Sequence, residues 1–164
     1  MDNEQLARYN RHIMIPQVDY EGQQKMLDSR VLIIGAGGLG SPVAIYLASS
    51  GVGHLVISDF DKVEVSNLQR QVMHTNADVG RYKVESAKDT LAALNPDVKV
   101  TTFTRSLEEE ELAEQVRLAD VVIDTSDNFA TRFALNRMCV AERTPLVSGS
   151  VIRIKLGATR AGKL

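Results

Sequence analysis

Residues 30–42, RVLIIGAGGLGSP, run four aliphatic side chains straight into a cluster of glycines. No feature of the chain constrains the fold more. Val31-Leu32-Ile33-Ile34 is short, β-branched and does not alternate with polar residues, which suits a strand buried on both faces of a parallel sheet. Gly35-Ala36-Gly37-Gly38-Leu39-Gly40 then leads into a helical pattern. Gly35 permits a tight turn, Gly37 and Gly38 let a ligand approach the backbone, and Gly40 lets helix and strand pack closely. The helix N-terminus supplies free N–H groups and the positive end of a dipole, so a nucleotide phosphate is the expected ligand. The motif by itself serves NAD and ATP equally.

Strand and helix patterns alternate along the rest of the chain. Short helices are expected from Asn3 to about Asn10 and from Gly22 to Leu27. Leu39–Ser50 reads as a helix with Leu39, Val43, Tyr46 and Leu47 on one side, ended by Gly51 and Gly53. Leu55–Ile57 is a strand, 62–81 mostly loop, and Tyr82–Leu94 a helix with Val84, Ala87, Leu91 and Leu94 near one face, stopped by Asn95-Pro96. Val98–Thr104, Asp120–Asp124 and Pro145–Val151 read as strands, with helices around Leu112–Ala119 and over Phe129–Glu142 between them. The expected fold is α/β: a Rossmann-like, doubly wound parallel sheet with helices on both faces and its ligand beyond the C-terminal strand ends. At 164 residues and 44% hydrophobic content, one core suffices.

Composition removes several functions. A net charge of -2 offers no basic field for nucleic acid. No stretch is apolar enough for a membrane span, and the polar MDNEQLARYNRH lacks the core of a secretory signal. The lone Cys139 forms no intrachain disulfide and builds no multi-thiolate zinc site, so no zinc is expected in this chain and a cytoplasmic location is. Cys139 lies in an apolar helix and is expected to be buried. His12, His54 and His74 lack metal-ligand spacing, and His74 is read as structural. The run Glu108–Glu111 suits the first turn of a helix.

Asp59 and Asp61 stand at the end of the second strand, where an acid suits the hydroxyls of a ribose. The block that follows, DFDKVEVSNLQRQ at 59–71, is more telling. A plain dinucleotide fold has no need of Asn67, Gln69, Arg70 and Gln71 clustered at this edge, and Arg70 offers a bidentate fork to phosphate.

Together with RYNRHI (8–13), GQQKMLDSRVLIIGAGGLGSP (22–42), VGRYKVESA (79–87), LNPDV (94–98) and DTSDNFATRFALN (124–136), this block resembles the HesA/MoeB/ThiF family of adenylyltransferases related to ubiquitin-activating enzymes. The resemblance covers residues 4 to about 153. It implies ATP and Mg2+ as cofactors, and adenylation of the C-terminal Gly-Gly carboxylate of a ubiquitin-like sulfur-carrier protein. KVESA and PLVSGS favour the molybdopterin branch over the thiamine branch. By resemblance Asp59 contacts the ribose; Asn67, Arg70 and Lys83 face the phosphates; and Asp127, beside Asn128, lies near magnesium. Arg11 reaches the nucleotide of a partner subunit, which implies a homodimer. The division expected is a helical arm at 1–28, an adenylation domain at 29–153 and an atypical tail at 154–164, because IKLGATRAGKL departs from the family pattern. Members are usually longer, with a carrier-binding half and often paired CxxC motifs. A truncated, catalytically incompetent ATP-binding remnant is therefore the alternative, with an NAD-dependent oxidoreductase behind it.

Overall fold

The computed structural model describes residues 1–150. In chain order its elements are α1 (Asn3–Ile13), α2 (Asp19–Asp28), β1 (Arg30–Ile34), α3 (Gly40–Ser50), β2 (His54–Ser58), α4 (Lys83–Leu94), β3 (Lys99–Phe103), α5 (Glu109–Arg117), β4 (Val121–Asp124), α6 (Phe129–Glu142) and β5 (Leu146–Ser148). The five strands form one all-parallel sheet in the order β3-β2-β1-β4-β5. The order reverses between β1 and β4, which is where open α/β sheets bind ligands.

The sheet has apolar clusters on both faces. One gathers Ile33, Leu55 and Ile57 with Ala44, Ala48, Val84, Ala87 and Leu91. The other gathers Leu32, Val56 and Val122 with Val116, Leu135 and Cys139. Leu32, Ile33, Leu55, Val56 and Ile57 are fully buried, as unbroken aliphatic runs require when helices cover both faces.

Several details differ from expectation. The buried face of α3 is Gly40, Ser41, Ala44 and Ala48, while Tyr46 is 74% exposed. Small side chains let this helix lie close to the sheet; of the bulky set chosen from periodicity, Val43 and Leu47 pack half-buried against the core and only Tyr46 points away. Leu94 of α4 is likewise exposed, although Val84, Ala87 and Leu91 are buried. The loop 62–81 contains two 3-10 turns, Val65–Asn67 and Asn76–Asp78, and an antiparallel bridge from Lys62 to Tyr82. The helix around Glu109 begins in the acidic run, as expected. Val151, the end of the expected last strand, lies outside the described residues.

The N-terminal helices are longer than expected. α1 opens with a capping box at Asp2 and Gln5. Tyr9 is buried, its hydroxyl accepts from Asn95 Nδ2 at 2.8 Å, and the same amide donates to Ala48 O. A Cβ at Gly51 would stand 2.6 Å from the Tyr9 ring, so the arm is packed tightly onto the end of α3.

Candidate functional site

A cavity of about 1050 Å³ opens over the C-terminal ends of β1, β2 and β4. Its floor is the glycine turn. Gly35 takes φ +101°, and a Cβ there would meet Thr125 Oγ1 at 2.9 Å. At Gly40 a Cβ would fall 2.0 Å from the Gly35 carbonyl oxygen, so both positions demand glycine. The Thr125 hydroxyl reaches Ile34 O and Gly35 O, each at 2.9 Å, and ties the turn to β4. α3 has no side-chain cap, and the N–H groups of Gly37, Gly38 and Leu39 have no backbone acceptor among the described residues. Open N–H groups at a helix start attract anions.

Asp59 lines the cavity, and its carboxylate accepts from Ala36 N at 2.7 Å and Asp61 N at 2.8 Å. It therefore shapes the turn while facing the ligand space. Lys83, the first residue of α4, is only 5% exposed and pairs with Asp61 at 2.7 Å. Its ammonium is therefore buried and paired rather than solvated. Asn67, Arg70 and Gln71 also line the cavity, whereas Gln69 does not. Arg70 is exposed and donates to Ser66 O at 3.1 Å, without a carboxylate partner among the described residues. Gln71 is 3% exposed, and its Oε1 has no hydrogen-bond partner. Its amide nitrogen would stand 3.6 Å from a Cβ at Gly37.

Asp127 and Asn128 stand on the opposite wall. The cap of α6 is Asn128, whose side chain accepts from Thr131 N at 2.8 Å, so Asp127 is free of that duty. Arg11, on α1, is exposed and does not line this cavity. Cys139 is buried, and burial pushes its thiol above the ordinary range.

Sequence reading missed the support of this second wall. Asp124 is 1% exposed and accepts from Ser126 N at 3.0 Å, Ser126 Oγ at 2.6 Å and Ser148 Oγ at 2.8 Å. Arg132 donates to Ser126 O at 2.6 Å and to Gly149 O, with its Nε 3.9 Å from Asp124. The only signal was that both residues lie in DTSDNFATR. The fully buried Ser86 and the contact of His74 with the glycine turn were missed too.

The donor set fits a nucleoside triphosphate. It combines open N–H groups, the cations Arg70 and Lys83, and backbone without Cβ atoms. A carboxylate at Asp127 on the same cavity suits a hard cation such as magnesium.

Comparison with known proteins agrees with this geometry. The chain is 47% identical over 155 residues to the molybdopterin-synthase adenylyltransferase of Escherichia coli K12, covering 94% of this chain and 62% of that protein. It is also 47% identical to the sulfur carrier protein ThiS adenylyltransferase of the same organism, covering 93% of this chain and 61% of that one. Among solved structures, the E. coli tRNA N6-threonylcarbamoyladenosine dehydratase TcdA in complex with ATP superposes with a TM-score of 0.83 at 26% identity, over 90% of this chain and 60% of that one. The chain thus spans about three fifths of the length of these relatives. The ThiF family model matches residues 9–160, which reaches into the stretch expected to stand apart as a tail. This chain belongs to the ThiF family.

Proposed function

We propose that this chain is the ATP-binding part of an adenylyltransferase that activates the C-terminal carboxylate of a ubiquitin-like sulfur-carrier protein. One observation carries the reading: Arg70, Lys83 and the open N–H groups of the glycine turn share a cavity with Asp127. The names of the two E. coli relatives support it, and their equal identity favours neither carrier.

In the reaction, a carrier carboxylate oxygen attacks the α-phosphorus of ATP, and pyrophosphate leaves. Both reactants are anionic, so the site must neutralise charge and hold the groups in line. Asp59 orients the ribose, and the glycine turn with Asn67, Arg70 and Lys83 holds the phosphates. Magnesium bound at Asp127 would supply further neutralisation of the triphosphate. Arg11 is assigned to the nucleotide of a second copy in a homodimer, a role supported by its exposure and its position outside its own cavity. The adenylation unit is assigned to residues 29–153, with 1–28 as its arm.

The test is carrier-dependent ATP–pyrophosphate exchange with Mg2+ and a panel of Gly-Gly-terminated carriers. Exchange above the carrier-free blank is expected. ATP binding without exchange would instead leave a nucleotide-binding module that needs the remaining two fifths of its relatives' length.

A further inference from the structure

His74 has no part in the chemistry above, yet it joins two elements that carry it. The ring is 5% exposed. Nε2 lies 3.1 Å from the carbonyl oxygen of Ala36, inside the glycine turn, and Nδ1 lies 2.9 Å from Ser86 Oγ, on α4. A carbonyl only accepts, so Nε2 carries the proton. In the neutral ring Nδ1 then accepts from the Ser86 hydroxyl, for whose single proton the Asp78 carboxylate competes. Burial holds the imidazole below its ordinary pKa, and Lys83 pushes the same way against Ala36 O, Asp78 and Asp59. Above pH 6.5 the ring is therefore neutral, with its proton on Nε2.

The Ala36 peptide is held on both sides. Its N–H donates to Asp59 at 2.7 Å and its carbonyl accepts from His74, with Ser41 Oγ more distant at 3.4 Å. Ser86 lies three residues after Lys83 on the same helix. One ring thus ties the phosphate-facing turn to the helix that presents the buried cation. Its two nitrogens sit on opposite sides of the ring, which lets one side chain span both elements.

We propose that His74 is a positioning residue for triphosphate binding, bracing the glycine turn against α4 so that the Gly37 and Gly38 N–H groups and the Lys83 ammonium address one ligand. This rests on the nucleotide reading above. Removing the brace leaves the Ala36 carbonyl without its main donor, and the turn and Lys83 become free to drift apart. Adenosine carries no phosphate to meet the Gly37 and Gly38 N–H groups or the Lys83 ammonium, whereas ATP carries three.

The experiment is calorimetric titration of wild type, His74→Leu, His74→Gln and Ser86→Ala with Mg2+-ATP and with adenosine. Hydrogen exchange over 34–41 and 83–87 is followed in the ligand-free proteins. His74→Leu is expected to bind ATP about tenfold more weakly, the scale of one buried hydrogen bond, with adenosine unchanged and faster exchange confined to those two segments. His74→Gln retains a donor toward Ala36 O and recovers most of the ATP affinity. Ser86→Ala loses less than His74→Leu, about threefold. A purely structural histidine would lower the melting temperature and leave the ratio of ATP to adenosine affinity unchanged, which overturns the proposal. Should His74→Leu fail to fold, an unchanged ratio in Ser86→Ala overturns it equally. A wild-type chain that binds neither ligand sinks the nucleotide reading and this role together. ATP binding by wild type with unchanged ratios in the variants sinks the role of His74 alone.

Discussion

The two walls of the cavity are built in opposite ways. On the α3–α4 side the frame around the open N–H groups is cross-linked at the cavity itself: Ala36 to Asp59 and His74, Asp61 to Lys83, and His74 to Ser86. Apolar side chains there are packed inward on Ala44, Ala48 and Val84. On the α6 side the support lies beneath, in the Asp124–Arg132 network, while the rim carries an exposed Asp127 and a helix that shows Phe129 at 78% and Phe133 at 63% exposure. The first wall has its turn and its buried cation held by hydrogen bonds within the protein. The second presents Asp127, Phe129 and Phe133 to solvent. A fixed cradle opposite an open rim suits a site that must grip one reactant and admit another.

The comparison breaks most sharply at Gly40. Replacing it with Ala puts a methyl carbon against backbone that has no rotamer to yield, and should cost about 3 kcal/mol in urea unfolding. A cost under ~1 kcal/mol would mean that the first wall is softer than described. Lys83→Met comes next. It leaves Asp61 unpaired and removes a pre-placed cation, so pyrophosphate exchange should fall about 100-fold. Adding Asp61→Asn should restore stability without restoring exchange. Arg70→Ala tests the exposed cation of the loop between β2 and α4: ATP affinity should fall about tenfold while the melting temperature stays put. Unchanged affinity would remove that loop from the site.

The smallest effect is in pH. The folded pKa of His74 is lowered from its ordinary 6.5, so the unfolded chain takes up a proton first as the medium is acidified. His74 therefore adds its full stability above pH 6.5 and loses it progressively as pH falls from 6.5 toward the lowered folded value. His54 is shifted the same way, so the measurement is the difference between wild type and His74→Gln across pH 5 to 7.5 in urea melts, expected to be under about 1 kcal/mol. No difference would mean that the ring is not held neutral.

Much of the fold was legible because it rests on local signals. The run Val31–Ile34, the glycine turn and the alternation of patterns give the parallel sheet without tertiary information. The contact face of α3 was not legible in the same way. Periodicity weights bulky residues, but a helix seated on Gly40 must approach the sheet through Ser41, Ala44 and Ala48. Within the site, Asp59, Asn67, Arg70, Lys83 and Asp127 were named from the chain, and all five line the cavity. The Lys83–Asp61 pair, the Asp124–Arg132 network and the His74 contacts were not seen. Each depends on residues from different elements meeting in space, and single-chain spacing carries no record of such meetings.

Tyr9 has a mechanical consequence. A cation at the end of a flexible tail is spread over every place the tail can reach, and a partner must gather it in at a cost in entropy. α1 is fastened at mid-length by Tyr9, seated against Gly51 and hydrogen-bonded to Asn95, and Arg11 follows two residues later on the same helix. Its direction is therefore set by the body of the protein. An anion that is to meet Arg11 has to be carried to it by the approach angle of whatever docks there, so selection falls on orientation rather than on reach.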